Sequence, residues 1–121
     1  MIRVAVVLLV GVIAAGCESA VCTLEARSAF GITVTDSITG ANLAPAATVR
    51  VTEGSFSDTL VAFPAPPASN AIYGGLYERA GVYEVTVTHP AYLTWRRTNV
   101  RVSDGRCHIE AQVFTVRLRK P

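Results

Sequence analysis

The chain is short of the groups from which enzyme chemistry is usually built. Among 121 residues there are two histidines, three cysteines and one tryptophan. No Gly-x-Ser-x-Gly turn raises a nucleophile above a sheet, no Cys-x-x-Cys pair lowers a thiol pKa, and no glycine-rich loop is shaped to cradle phosphate. His89 and His108 share no ligand spacing with Glu84 or Glu110, so neither a metal site nor any other cofactor is implied. Charge is scarce and nearly balanced, with 11 Lys+Arg against 9 Asp+Glu. The basic residues are dispersed apart from Arg96-Arg97 and the tail Arg117, Arg119 and Lys120, which read as solvated strand faces and a chain end. Nucleic acid is therefore not an expected partner. No segment after Gly16 carries a 3.6-residue apolar period, which removes amphipathic helices. No apolar run reaches the roughly 20 residues of a membrane-spanning helix.

What the sequence does have begins at Arg3, a lone cation before the uncharged residues 4–13, which run into Ala14-Ala15-Gly16-Cys17 and then Glu18 and Ser19. A basic start, a short apolar core and small residues before a cut site are the parts of a secretory signal peptide. The cut would fall just before a thiol, and the segment resembles the lipobox of bacterial lipoproteins. That resemblance implies that Cys17 is acylated and becomes the first mature residue, although Ala14 stands where lipoboxes usually carry leucine. An ordinary signal peptidase cutting after Gly16 would leave the thiol free, but it would not return the protein to the cytoplasm. The expected location is the bacterial cell envelope, with the membrane engaged through the N-terminal lipid. By resemblance to sorting rules in Gram-negative lipoproteins, Glu18 implies the outer membrane, facing the periplasm.

Removing residues 1–16 leaves 121 − 16 = 105 residues, enough for one small domain with one core. Residues 17–28 are expected to be a tether and 29–121 the domain. If Cys17 carries lipid, Cys22 and Cys107 remain, and an oxidising compartment admits one intramolecular pairing between them. Such a disulfide would close a loop of 107 − 22 = 85 residues and, on the chain-entropy argument, stabilise the fold by about 4 to 5 kcal/mol.

The rest of the chain alternates. Phe30, Ile32 and Val34 share one face of a strand, and Asp36-Ser37-Ile38-Thr39-Gly40 supplies turn chemistry after it. Val49 and Val51 alternate with Arg50 and Thr52, and Glu53-Gly54-Ser55 is expected to send the chain back along residues 56–63 as a hairpin. Pro64, Pro66 and Pro67 bar a continuous ladder, so residues 64–76 are expected to form the longest loop. Gly81 opens the clearest strand, with Tyr83, Val85 and Val87 on one side. The apolar phase changes between Trp95 and Val100, which a bulge near Arg97 would reconcile. It changes again between the Ile109, Ala111, Val113 set and the Phe114, Val116, Leu118 set, which calls for a bulge at Val113-Phe114 or a break into two strands. Short strands at regular turn spacing predict an all-β fold, a single antiparallel β-sandwich.

Ile32-Thr33-Val34-Thr35-Asp36, Thr39-Gly40, Pro45, Gly81-Val82-Tyr83-Glu84-Val85-Thr86-Val87 and Pro90-Ala91-Tyr92 resemble the carboxypeptidase regulatory-like domain. The resemblance covers about residues 28–119 and implies a seven-stranded, prealbumin-like (transthyretin-like) sandwich, an accessory module without catalytic residues of its own. Small bacterial lipoproteins of this type carry a cysteine before the first strand and a Cys-His pair opening the last, similar to Cys22 and Cys107-His108, which supports the pairing. Ala91, where the family often has glycine, is a departure.

Two functions compete at this stage. The favoured one is a non-enzymatic, lipid-anchored envelope protein that binds a protein or glycan partner. Aromatic residues and arginine concentrate at binding hot spots, which makes Ile72, Tyr73, Tyr77, Tyr92, Trp95, Arg96 and Arg97 the possible binding residues. Of these, Tyr92 and Trp95 read first as core or edge packing and only second as binding residues, and Ile72 and Tyr73 lie in the expected long loop. The alternative is a small hydrolase, because the transthyretin fold also houses hydroxyisourate hydrolase. That enzyme's C-terminal Tyr-Arg-Gly-Ser signature is absent here, where the chain ends Arg117-Leu118-Arg119-Lys120-Pro121. A hydrolase of that kind would require His89, His108 and an acidic side chain in one cleft.

Overall fold

The structure, a computed structural model, describes residues 22–65 and 70–121. The expected signal peptide and Cys17 lie outside the described residues. Nine strands form among the described residues: β1 (Ser28–Asp36), β2 (Thr48–Glu53), β3 (Phe56–Thr59), β4 (Val61–Phe63), β5 (Ile72–Tyr77), β6 (Gly81–Thr88), β7 (Trp95–Asp104), β8 (Ile109–Glu110) and β9 (Gln112–Leu118). They make two sheets, ordered β4-β5-β1-β9 and β3-β2-β6-β7-β8, that face each other as a sandwich. The core is what strand periodicity dictates. Phe30, Ile32 and Val34 from β1, with Val116 and Leu118 from β9, meet Val49 and Val51 from β2, Tyr83, Val85 and Val87 from β6, and Val100 and Val102 from β7. Phe30 meets Tyr83 edge-to-face at 5.4 Å across the layer.

Two expectations about strand number and direction are corrected. The expected strand over residues 56–63 is two strands in different sheets, because the chain crosses the sandwich at Leu60. That side chain is buried, and its amide still donates to the Val49 carbonyl at 2.9 Å. The second crossing is at Ala111. Ile109 faces the core from the five-stranded sheet, whereas Val116 and Leu118 face it from the other, so the phase reversal read in the sequence is a change of sheet. It follows that β9 arrives parallel to β1, from Phe30 opposite Gln112 to Asp36 opposite Leu118, and the sandwich is mixed rather than wholly antiparallel. The expected bulge near Arg97 is present: Thr98 and Asn99 stand opposite Glu84 alone, with Asn99 at φ +56°.

Strand directions sort the loops into two poles. One pole holds Cys22, the Gly54-Ser55 turn, residues 78–80 and residues 105–108. The opposite pole holds residues 37–40, Pro64 and Ala65, Asn70 and Ala71, residues 89–94 and the C-terminal end, while residues 66–69 of the expected loop lie outside the described residues. The two outer faces also differ. On the five-stranded sheet Arg96 pairs with Glu84 at 3.0 Å and Arg50 donates to Ser57 Oγ at 2.7 Å. On the four-stranded sheet Val61, Phe63, Ile72 and Val113 are exposed around Gly31 and Gly74.

Candidate functional site

At the disulfide pole a covalent bond and several hydrogen bonds converge. Cys22 and Cys107 form a disulfide with Cα atoms 5.1 Å apart, closing a sequence separation of 85 residues. The residue after each cysteine continues the link, since Thr23 Oγ1 lies 2.9 Å from His108 Nε2. On its other side the ring meets Glu78, with Nδ1 2.5 Å from Oε1. A carboxylate has no proton to give, so Nδ1 carries the hydrogen, and in the neutral ring Nε2 then accepts from the threonine hydroxyl. Glu78 is itself fixed. Its Oε1 accepts from the Arg27 amide at 2.9 Å and Oε2 from the Ile109 amide at 3.3 Å, while its own amide donates to the Arg27 carbonyl at 2.9 Å. The backbone of Glu78 has φ +54°, a conformation that non-glycine residues seldom adopt. His108, then the Arg27 and Ile109 amides, hold the Glu78 carboxyl below its usual range against the opposing effect of burial. Thr23 and His108, but not Glu78, line an open groove of about 520 Å³ with Arg27, Gly105, Arg106 and Glu110. The alternation of His108, Glu110 and Gln112 with Ile109, Ala111 and Val113 predicts an exposed strand residue at His108. His108 lies instead in the bend before β8 with its side chain only 11 % exposed, because Glu78 and Thr23 cover both ring nitrogens.

The seven expected binding residues do not gather. Ile72 and Tyr77 are exposed and share a groove of about 480 Å³ with Val61, Phe63 and Gly74. Tyr73, expected in an exposed loop, is 3 % exposed and donates its hydroxyl to the Ala47 carbonyl at 2.5 Å. The cause is that residues 72–77 are strand β5, paired with both β1 and β4, so the loop ends before Ile72. Tyr92 donates to Asp36 Oδ2 at 2.6 Å and takes the His89 ring edge-on. Trp95 packs beside Phe114, and the Arg97 guanidinium lies 5.0 Å and 4.9 Å from their ring centroids, which closes the side of the sandwich between β7 and β9. Arg96 is held by Glu84 on the outer sheet face. His89 lies at the pole opposite His108, where its Nδ1 accepts from the Ala91 amide at 3.0 Å. The cleft that a two-histidine hydrolase would need is therefore not formed.

Thr23 and Glu78 were not singled out from the sequence. Thr23 was within reach of it: once Cys22 and Cys107 are paired, the residues that follow each are neighbours, and Thr23 and His108 are complementary. Glu78 left no comparable signal, since it meets His108 only through the turn after β5. No group of three metal-ligating side chains forms among the described residues. No protein-family model matches the chain, and no curated protein matches it. The class defined by fold and site is an all-β, two-sheet, sandwich-like domain closed by one long-range disulfide.

Proposed function

We propose that the protein is a lipid-anchored envelope module, built on a carboxypeptidase regulatory-like, prealbumin-type sandwich, that presents its far pole to a protein or glycan. The supporting observation is the separation of the two poles. Cys22 lies five residues after Cys17, which at full extension is about 17 Å of chain, and the disulfide fixes Cys22 to the end of β7 and the start of β8. A lipid on Cys17 then keeps the disulfide pole against the bilayer and turns residues 37–40, 89–94 and the described ends of the loop before β5, at Pro64 and Asn70, away from it. Recognition there is by contact, and loops on a rigid scaffold are the usual carriers of it. The outer membrane, on its periplasmic side, is the proposed location.

The test is in the native envelope. A fatty-acid analogue should label the wild type and not Cys17→Ser, because stable anchoring requires acyl chains on that cysteine. Replacing residues 65–70 with Gly-Ser residues should leave the sandwich folded, since both flanking strands remain, and should remove the crosslinked partner that the wild type retains. Label on Cys17→Ser refutes the anchor. An unchanged crosslink in the loop variant refutes the far pole as the contact surface.

A further inference from the structure

We propose that Thr23, His108 and Glu78 form an acyl-transfer site at the disulfide pole, with Thr23 Oγ1 as nucleophile, His108 as base and Glu78 as the group that orients it. The order hydroxyl, imidazole, carboxylate, at 2.9 Å and then 2.5 Å, is the geometry by which a hydroxyl is activated toward a carbonyl carbon. In the neutral ring Nδ1–H faces the carboxylate and Nε2 accepts from the Thr23 hydroxyl, which is the tautomer the reaction requires. Two further features point the same way. Glu78 holds its position in a left-handed backbone conformation braced by three hydrogen bonds to Arg27 and Ile109, and strained backbone is concentrated at sites of function. The disulfide immediately precedes both Thr23 and His108, so a covalent bond fixes the two backbone positions that carry nucleophile and base. Orientation of that kind is a principal source of rate. As a structural tie the hydroxyl-imidazole bond adds little, because it is solvent-accessible and sits one residue from a covalent link.

The open groove beside the triad is the seat proposed for a small carboxylic ester, and Arg27 and Arg106 are the cations in its lining that a developing oxyanion would meet. Thr23 Oγ1 bonds to the carbonyl carbon as its proton passes to His108 Nε2. Collapse breaks the bond to the alkoxy oxygen, which leaves with that proton as an alcohol. Water then gives a proton to Nε2, attacks the acyl-threonine carbonyl and releases the carboxylic acid, while Thr23 recovers its hydrogen.

The experiment treats the full-length protein in detergent with a fluorophosphonate probe and with p-nitrophenyl acetate, and maps the probe by peptide mass spectrometry. The expected result is label on Thr23 and release of p-nitrophenol. Thr23→Ala should lose both, Thr23→Ser should retain them, and His108→Gln should slow labelling about 10²-fold or more. Glu78→Gln should slow the reaction without abolishing label, and opening the disulfide with reductant should slow it as well. Melting temperature and thiol titration on each variant show whether it is folded. Wild type that is folded and oxidised yet takes no label at Thr23, or that hydrolyses the ester no faster than Thr23→Ala, overturns the proposal. Neither result depends on the lipid or on the far-pole loops.

Discussion

Asp36 shows how much one side chain can organise at the far pole. It is the buried carboxylate at the end of β1 and accepts from the Ile38 and Thr39 amides at 2.7 Å and 2.8 Å and from the Tyr92 hydroxyl at 2.6 Å. The Tyr92 hydroxyl first, then the two amides, hold its carboxyl far below the ordinary carboxylate range. A folded pKa below the unfolded value means that the ionised form is bound more tightly in the native state. That stabilisation is complete above the unfolded pKa of about 3.9 and is lost as pH falls from there toward the folded value. Melting temperature measured from pH 6 to pH 2 should therefore fall more steeply for wild type than for Asp36→Asn or Tyr92→Phe below about pH 4. Parallel curves for all three would refute the assignment. The turn of residues 36–40 was legible in the sequence, because Asp and Gly mark it by their own chemistry. The bond from Tyr92 was not, since it joins residues 56 apart.

At the scale of the element, legibility followed local periodicity. The β1 and β6 expectations agree with the structure because each alternates against a single core face. The expected single strand of residues 56–63 and the loop of residues 64–76 do not, because they depend on which sheet the chain enters after Leu60, a choice settled by pairing with β5, which is itself placed by the distant β1. A local test of packing is available at the start of β6. Glu53 on β2 accepts from the Val82 amide at 2.7 Å and pairs at 3.0 Å with Arg79, whose guanidinium lies 3.7 Å from the Phe56 ring centroid. A Cβ at Gly81 would collide with that Glu53 carboxylate and lie 3.0 Å from Tyr83 Cζ. Gly81→Ala should cost about 1 to 3 kcal/mol in urea denaturation. Gly31→Ala, whose Cβ would meet Val113 at an ordinary 3.5 Å, should be near neutral. Equal effects at the two positions would contradict this account.

For the whole molecule, the disulfide is the largest single constraint. Its separation of 85 residues ties the segment before β1 to the approach to β8, so Cys107→Ala should lose about 4 to 5 kcal/mol. For a domain of this size that corresponds to a melting temperature lower by roughly 20 °C. Thiol titration of the denatured, unreduced domain should find no reactive thiol at Cys22 or Cys107. The pairing was legible because so few cysteines left few choices.

The parallel alignment of the first and last strands sets a timetable. Until β9 emerges, β1 lacks one neighbour and the core lacks Val116 and Leu118, both almost wholly buried. A chain being fed through a membrane pore one end at a time, as the proposed location requires, has no route to a closed sandwich until nearly its last residue is across. The portion already across therefore stays open along the free edge of β1 until β9 pairs with it.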